Sequence, residues 1–164
     1  MREILFRAKA INRIEGWEYR TDYKNGDWVF GVISKPHYDF RGGFPAEMRN
    51  ENGVDGIEVD HETLGQFTGL TDKNGVKIFE GDIIKSTTSD TIGKVGYYPE
   101  EGAFMVLFNS SSGYCVGYLG DINMSTIEIT GNIYDNPELI DHAPAAAAKM
   151  SDAPAEQLAL APAT

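Results

Sequence analysis

Asn25-Gly26 stands between two runs in which large and polar side chains alternate, and that arrangement leaves a chain few options. Before the pair, Trp17, Tyr19, Thr21 and Tyr23 alternate with Glu18, Arg20 and Asp22; after it, Trp28, Phe30 and Val32 alternate with Val29, Gly31 and Ile33. A period of two belongs to a strand whose faces meet different surroundings. Asn-Gly is the preferred pair for a type I′ turn, because both central residues take positive φ. A two-residue loop at Asn25-Gly26 sets Tyr23 opposite Trp28, Thr21 opposite Phe30 and Tyr19 opposite Val32, all on one face. Such cross-strand aromatic pairs contribute roughly 0.2–1 kcal/mol each.

The rest of the chain repeats the theme. Eighteen glycines punctuate short runs rich in β-branched and aromatic residues, the composition of a mainly β fold. A second hairpin is expected at 66–70 and 76–79, turning at Asn74-Gly75. Glu80-Gly81-Asp82 reads as a tight turn into a buried strand. Gly81 takes positive φ there, and the Asp82 carboxylate accepts backbone N–H groups. Further strands are expected at 93–98, 103–109, 114–119 and 126–134, a spacing that suits a small barrel or sandwich. Residues 34–56, with Pro36, Gly42, Gly43, Pro45, Gly53 and Gly56, read as a long loop. Asn136-Pro137 suits the start of a short helix. Residues 143–164 are mostly Ala and Pro without an aromatic residue. That segment buries too little to offset its ordering entropy and reads as a disordered tail. The expected divisions are a β-rich region at 1–56, a barrel region at 57–142 and the tail.

Charge narrows the function classes. The 164 residues carry 14 Lys and Arg against 25 Asp and Glu, a formal net charge of -11. Nucleic acid and anionic membranes repel such a chain unless a local basic patch intervenes. No apolar run approaches the ~18 residues of a membrane span, and the first residues lack a secretory signal's apolar stretch. One cysteine, Cys115, excludes an internal disulfide and reads as a small buried hydrophobe on a strand. The expected compartment is a reducing cytoplasm. Between Lys94 and Lys149 no Lys or Arg occurs, while Arg2, Arg7, Lys9, Arg13 and Arg20 crowd the first twenty residues. An anion-binding surface therefore belongs to the N-terminal half.

Trp17, Tyr19, Tyr23, Trp28 and Phe30 make one aromatic face. Aromatic residues are mostly core, but rings beside arginines also bind bases and phosphates, and Trp and Tyr favour subunit contacts. The candidate ligand-binding set is Trp17, Tyr19, Arg20, Tyr23, Trp28, Arg41 and Arg49. Asp55, Glu58, Asp60, His61 and Glu62 are the densest group of metal-ligand types, but their spacing matches no calcium loop and one histidine is thin for zinc. They read as a solvated acidic stretch. No phosphate-binding loop or nucleophile elbow is present. No cofactor, metal or catalytic residue is expected.

Several blocks resemble the YopX family: 2–8 (REILFRA), 26–31 (GDWVFG), 59–70 (VDHETLGQFTGL), 72–75 (DKNG), 78–84 (IFEGDII) and 130–139 (TGNIYDNPEL). The resemblance spans about residues 1–140. It implies a protein of bacteriophages and prophages, β-rich, with an SH3-like barrel as its C-terminal part and a tendency to form homo-oligomers. It brings no catalytic motif. The expected function is a non-enzymatic oligomeric binding module that sequesters a small nucleotide-type signal of host defence, inside the host bacterial cell. Two alternatives stand beside it. One is an acidic decoy that occupies a host nucleic-acid enzyme. The other is a metal-dependent nucleotide hydrolase built on Asp55, Asp60, His61 and Glu62.

Overall fold

A computed structural model describes residues 3–11, 23–35, 46–89, 91–110 and 113–140. They form β1 (Phe6–Lys9), β2 (Trp28–Lys35), β3 (Ala46–Asn50), β4 (Ile57–Val59), β5 (Gly65–Thr71), β6 (Lys77–Phe79), β7 (Asp82–Ser86), β8 (Ile92–Tyr98), β9 (Ala103–Ser110), β10 (Gly113–Tyr118) and β11 (Ile127–Asn132). The remaining regular structure among them is short 3-10 turns. The strands make two antiparallel sheets, ordered β4-β3-β2-β1-β5-β6 and β10-β9-β8-β7-β11. The mainly β expectation holds. None of the described helices is long and apolar enough to cross a membrane.

The turn at Asn25-Gly26 forms. Gly26 has φ 89°, and the Asp27 N–H donates to the Lys24 carbonyl at 3.0 Å. Its strand partner differs from the expectation. β2 pairs with β1, so that Arg7 faces Phe30, Ala8 faces Val29 and Lys9 faces Trp28. Lys9, not Tyr23, is the partner of Trp28, and Arg7 takes the place expected of Thr21. Val32 lies opposite Arg49 of β3; Tyr19 and Thr21 fall outside the described residues. The reason is that β1 can serve two neighbours. It lies between β2 and β5, so its backbone groups are used on both edges. Its small Ala8, with Ala10 just after the strand, is buried with Val29, Met48, Ile57 and Val59 in one cluster, and Tyr23 packs against that cluster.

The expected loop at 34–56 contains β3. Ala46, Met48 and Asn50 are buried while Arg49 is exposed, a short alternation hidden between glycines and prolines. Gly31 lets β3 come close: a Cβ on it would lie 1.9 Å from the Arg49 carbonyl oxygen. β4 pairs with β3, Ile57 facing Met48 and Val59 facing Ala46, so one sheet runs across position 56.

The second hairpin joins β5 to β6. Asp72, largely buried, organises its turn. One carboxylate oxygen accepts the Asn74 and Val76 N–H groups at 2.8 and 2.9 Å, and the other accepts the Ile129 N–H of β11 at 3.2 Å. Burial opposes ionisation here, but these N–H donors outweigh it and the pKa lies below the usual carboxylate value. The same side chain thus shapes the turn and ties it to the other sheet. Ile78 of β6 shares a cluster with Ile84, Val95, Val106, Leu119 and Ile127, so the hairpin covers the core of the five-stranded sheet.

Candidate functional site

Alternation along β1 and β2 puts Leu5, Arg7 and Lys9 on the same face as Trp28 and Phe30. That face meets the start of β7. Gly81, at φ 81°, turns the chain, and Asp82 follows with 1 % exposure. One Asp82 oxygen accepts the Phe79 N–H at 2.8 Å, as the turn chemistry requires. The other faces Arg7 Nη2 at 2.6 Å, with the two side chains 1 % and 9 % exposed. This is a buried ion pair joining the two sheets. Burial pushes the Asp82 carboxyl above its ordinary pKa, and the Arg7 charge and the Phe79 N–H pull against that rise.

Arg7 is held on several sides. Nη2 also donates to the Glu80 carbonyl at 3.1 Å. The guanidinium carbon lies 4.8 Å from the Trp28 ring centre and 5.1 Å from that of Phe79, within cation–π range. Nε is buried with no hydrogen-bond partner among the described residues.

Beside this pair the surface opens into a cleft of about 310 Å³. Arg7 and Asp82 lie among its lining residues, with apolar surface from Leu5, Phe30, Val76, Phe79 and Ile129 and with Lys77 and Glu51. Phe30 and Phe79 meet edge to face with ring centres 5.5 Å apart. Phe30 is 38 % exposed and Val76 52 %. Lys77 Nζ lies 3.0 Å from Glu3 and 3.9 Å from Glu51. The cleft is therefore mostly apolar, and each of its cations already faces a carboxylate.

Next to the cleft, Trp28 makes a second junction. Its indole N–H donates to Asp135 Oδ2 at 2.8 Å. Asn132 donates to the same oxygen at 2.8 Å, and Lys9 pairs with Oδ1. Partial burial opposes ionisation of Asp135, but the bonds from Lys9, Asn132 and Trp28 outweigh it and hold its pKa at about 2. Tyr134 packs 6.0 Å from Trp28 and donates its hydroxyl proton to the Glu62 carbonyl at 2.9 Å.

Of the residues expected to bind a ligand, Trp17, Tyr19, Arg20 and Arg41 lie outside the described residues. Trp28 stands between Arg7 and Lys9. Tyr23 does not share its face: it packs on the Ala8–Met48 cluster and accepts a hydrogen bond from Asn50 Nδ2 at 3.3 Å. Arg49 pairs with Asp55 at 2.7 Å on exposed surface. While Arg49 faces Asp55, the cations over the Trp28 ring among the described residues are Arg7 and Lys9. A signal for them existed. Arg7 sits in the run Ile4-Leu5-Phe6-Arg7-Ala8, and Asp82 precedes Ile83-Ile84; a lone charge in an apolar strand needs a buried partner.

The acidic stretch at 55–62 does not converge. Asp55 holds Arg49, and Asp60 accepts the Glu62 N–H at 3.0 Å to cap a 3-10 turn. Among the described residues no three His, Cys, Asp or Glu side chains are placed to hold a metal ion. Cys115, expected to be buried, is exposed, because β10 is an end strand of its sheet.

No curated protein matches the chain. The family model described as YopX protein matches residues 14–141. That range takes in the Trp28, Asp82 and Asp135 blocks and leaves the β1 block carrying Arg7 outside. The match covers well over half of the sequence, and the chain belongs to the YopX protein family.

Proposed function

We propose that this chain is a phage accessory protein that works by binding: it captures a small nucleotide-type signal of host defence and does not transform it. The observation that carries the proposal is the cleft at the junction of the two sheets. Its volume of about 310 Å³ is at the small end of the range for ligand sites, which pair apolar walls with a few placed polar groups. The Arg7–Asp82 pair and the Trp28–Asp135 bond tie the two sheets to one another beside the cleft. A preformed cleft loses little freedom when it is filled. Homo-oligomerisation, expected from the family resemblance, would give each assembly several such clefts.

Calorimetry of the full chain against cyclic nucleotides and ADP-ribose tests the reading. A saturable heat is expected, with the ligand recovered unchanged by chromatography. Absence of binding at millimolar ligand, or conversion of many ligand molecules per chain, overturns it.

The acidic decoy has one observation of its own. Glu100, Glu101, Asp121, Glu128 and Glu138 lie in a stretch without Lys or Arg. A host DNA-handling protein captured by the chain and released by salt would favour that reading.

A further inference from the structure

We infer that the ligand enters the cleft by an uncharged heteroaromatic ring of nucleobase type, and that its charged groups stay at the mouth. This rests on the capture of a small ligand proposed above. Arg7 is neutralised by Asp82 at 2.6 Å, and Lys77 faces Glu3 and Glu51 at 3.0 and 3.9 Å. A phosphate placed inside would meet cations already paired and would lie against Asp82 and Glu51. Its lost hydration would find no uncompensated positive charge. An uncharged ring meets no such cost.

Phe30 supplies the surface for that ring. It is a large aromatic residue left 38 % exposed, braced edge to face by Phe79 at 5.5 Å and facing a cleft also lined by Val76. Stacking of a base on an aromatic side chain is available to every base and does not depend on charge. A pure hydrocarbon ring would leave Arg7 Nε, buried with no hydrogen-bond partner among the described residues, as it is. A nucleobase carries both donors and acceptors around its edge, and the cleft meets both with the partly exposed Lys77 and Glu51 side chains beside the unpartnered Arg7 Nε. The phosphate or ribose-phosphate part then extends into solvent.

The test titrates the full chain with adenosine, guanosine, cytidine and uridine, with the 5′-monophosphate of each, and with inorganic phosphate. At least one nucleoside is expected to bind within about three-fold of its monophosphate, and inorganic phosphate is expected not to bind. Phe30→Ala should weaken both the nucleoside and the nucleotide at least ten-fold, and Phe30→Tyr, which keeps a ring, should restore binding. Circular dichroism of each variant reports whether the fold is kept. A monophosphate that binds while its nucleoside does not overturns the orientation but leaves ligand capture standing. So does binding unchanged in a folded Phe30→Ala. If no nucleoside or nucleotide binds at millimolar concentration, the ring class falls, and ligand capture falls with it only if ADP-ribose and cyclic nucleotides also fail.

Discussion

The indole N–H of Trp28 donates to Asp135 across 107 positions of sequence, at 2.8 Å. The bond joins the first residue of β2, in one sheet, to the turn that follows β11 in the other. Lys9 and Asn132 converge on the same carboxylate, so a single anion gathers a cation and two neutral donors from three segments. Charge-assisted hydrogen bonds of this kind are stronger than neutral ones.

Acid should break this junction. The Asp135 pKa falls from 3.8 to about 2 in the fold. A lowered folded value means that the native state prefers the ionised form, so the contribution to stability is present above 3.8 and is lost as pH falls toward about 2. In a Trp17→Phe background, Trp28 emission should shift over that window, and Asp135→Asn should remove the shift. Emission flat through the window would show that the indole does not sense this carboxylate.

The Arg7–Asp82 pair makes the opposite prediction for pH. Asp82 has a raised folded pKa, so its ionisation costs stability as pH rises through that value. Arg7→Met removes the compensating charge. It should destabilise the protein by about 3–5 kcal/mol at neutral pH, and by less in acid, where Asp82 is protonated. Adding Asp82→Asn should recover part of the loss, because an amide oxygen still accepts the Phe79 N–H and no buried charge is left alone. Denaturant unfolding of both singles and the double closes the cycle. Purely additive costs would mean that the two residues act separately.

Local chemistry was legible and long-range pairing was not. The turns at Asn25-Gly26, Asn74-Gly75 and Gly81-Asp82 follow from side chains within four residues of one another, and each forms. The strands of the second sheet were readable because turn signals bound each of them. The partner of β2 was hidden, since the alternation before Asn25 competes with β1 for the same edge and nothing local decides between them. β3 was masked by the glycines and prolines around its five residues. The site suffered most: Arg7 and Asp82 each look ordinary until the fold brings them to 2.6 Å. Trp28 has Arg7 and Lys9 of β1 over its ring, whereas the expected cations are Arg20, Arg41 and Arg49, the first two of which lie outside the described residues.

Cys115 should react in the native protein. It is exposed on β10, whose one strand partner among the described residues is β9. Ellman's reagent should titrate one thiol per chain without denaturant. A thiol that reacts only after unfolding would mean that another surface covers this strand in solution, and a subunit contact along β10 would then be the first place to look.

Gly81 gives the sharpest test of the turn that carries Asp82. Its φ of 81° is a conformation that side chains with a Cβ rarely adopt. A Cβ there would also come 3.2 Å from the Tyr134 ring and 3.5 Å from the Ile133 side chain, so crowding adds to backbone strain. A β-branched residue suffers most at positive φ. Gly81→Val should therefore cost more than about 1–3 kcal/mol, the range for a single strained backbone residue. Because Tyr134 is the neighbour that must yield, the variant should also disturb the Trp28–Asp135 junction and move Trp28 emission. Unfolding at an unchanged denaturant midpoint would show that the bend at Gly81 does not need its positive φ, and the placement of Asp82 beneath Arg7 would lose its local cause.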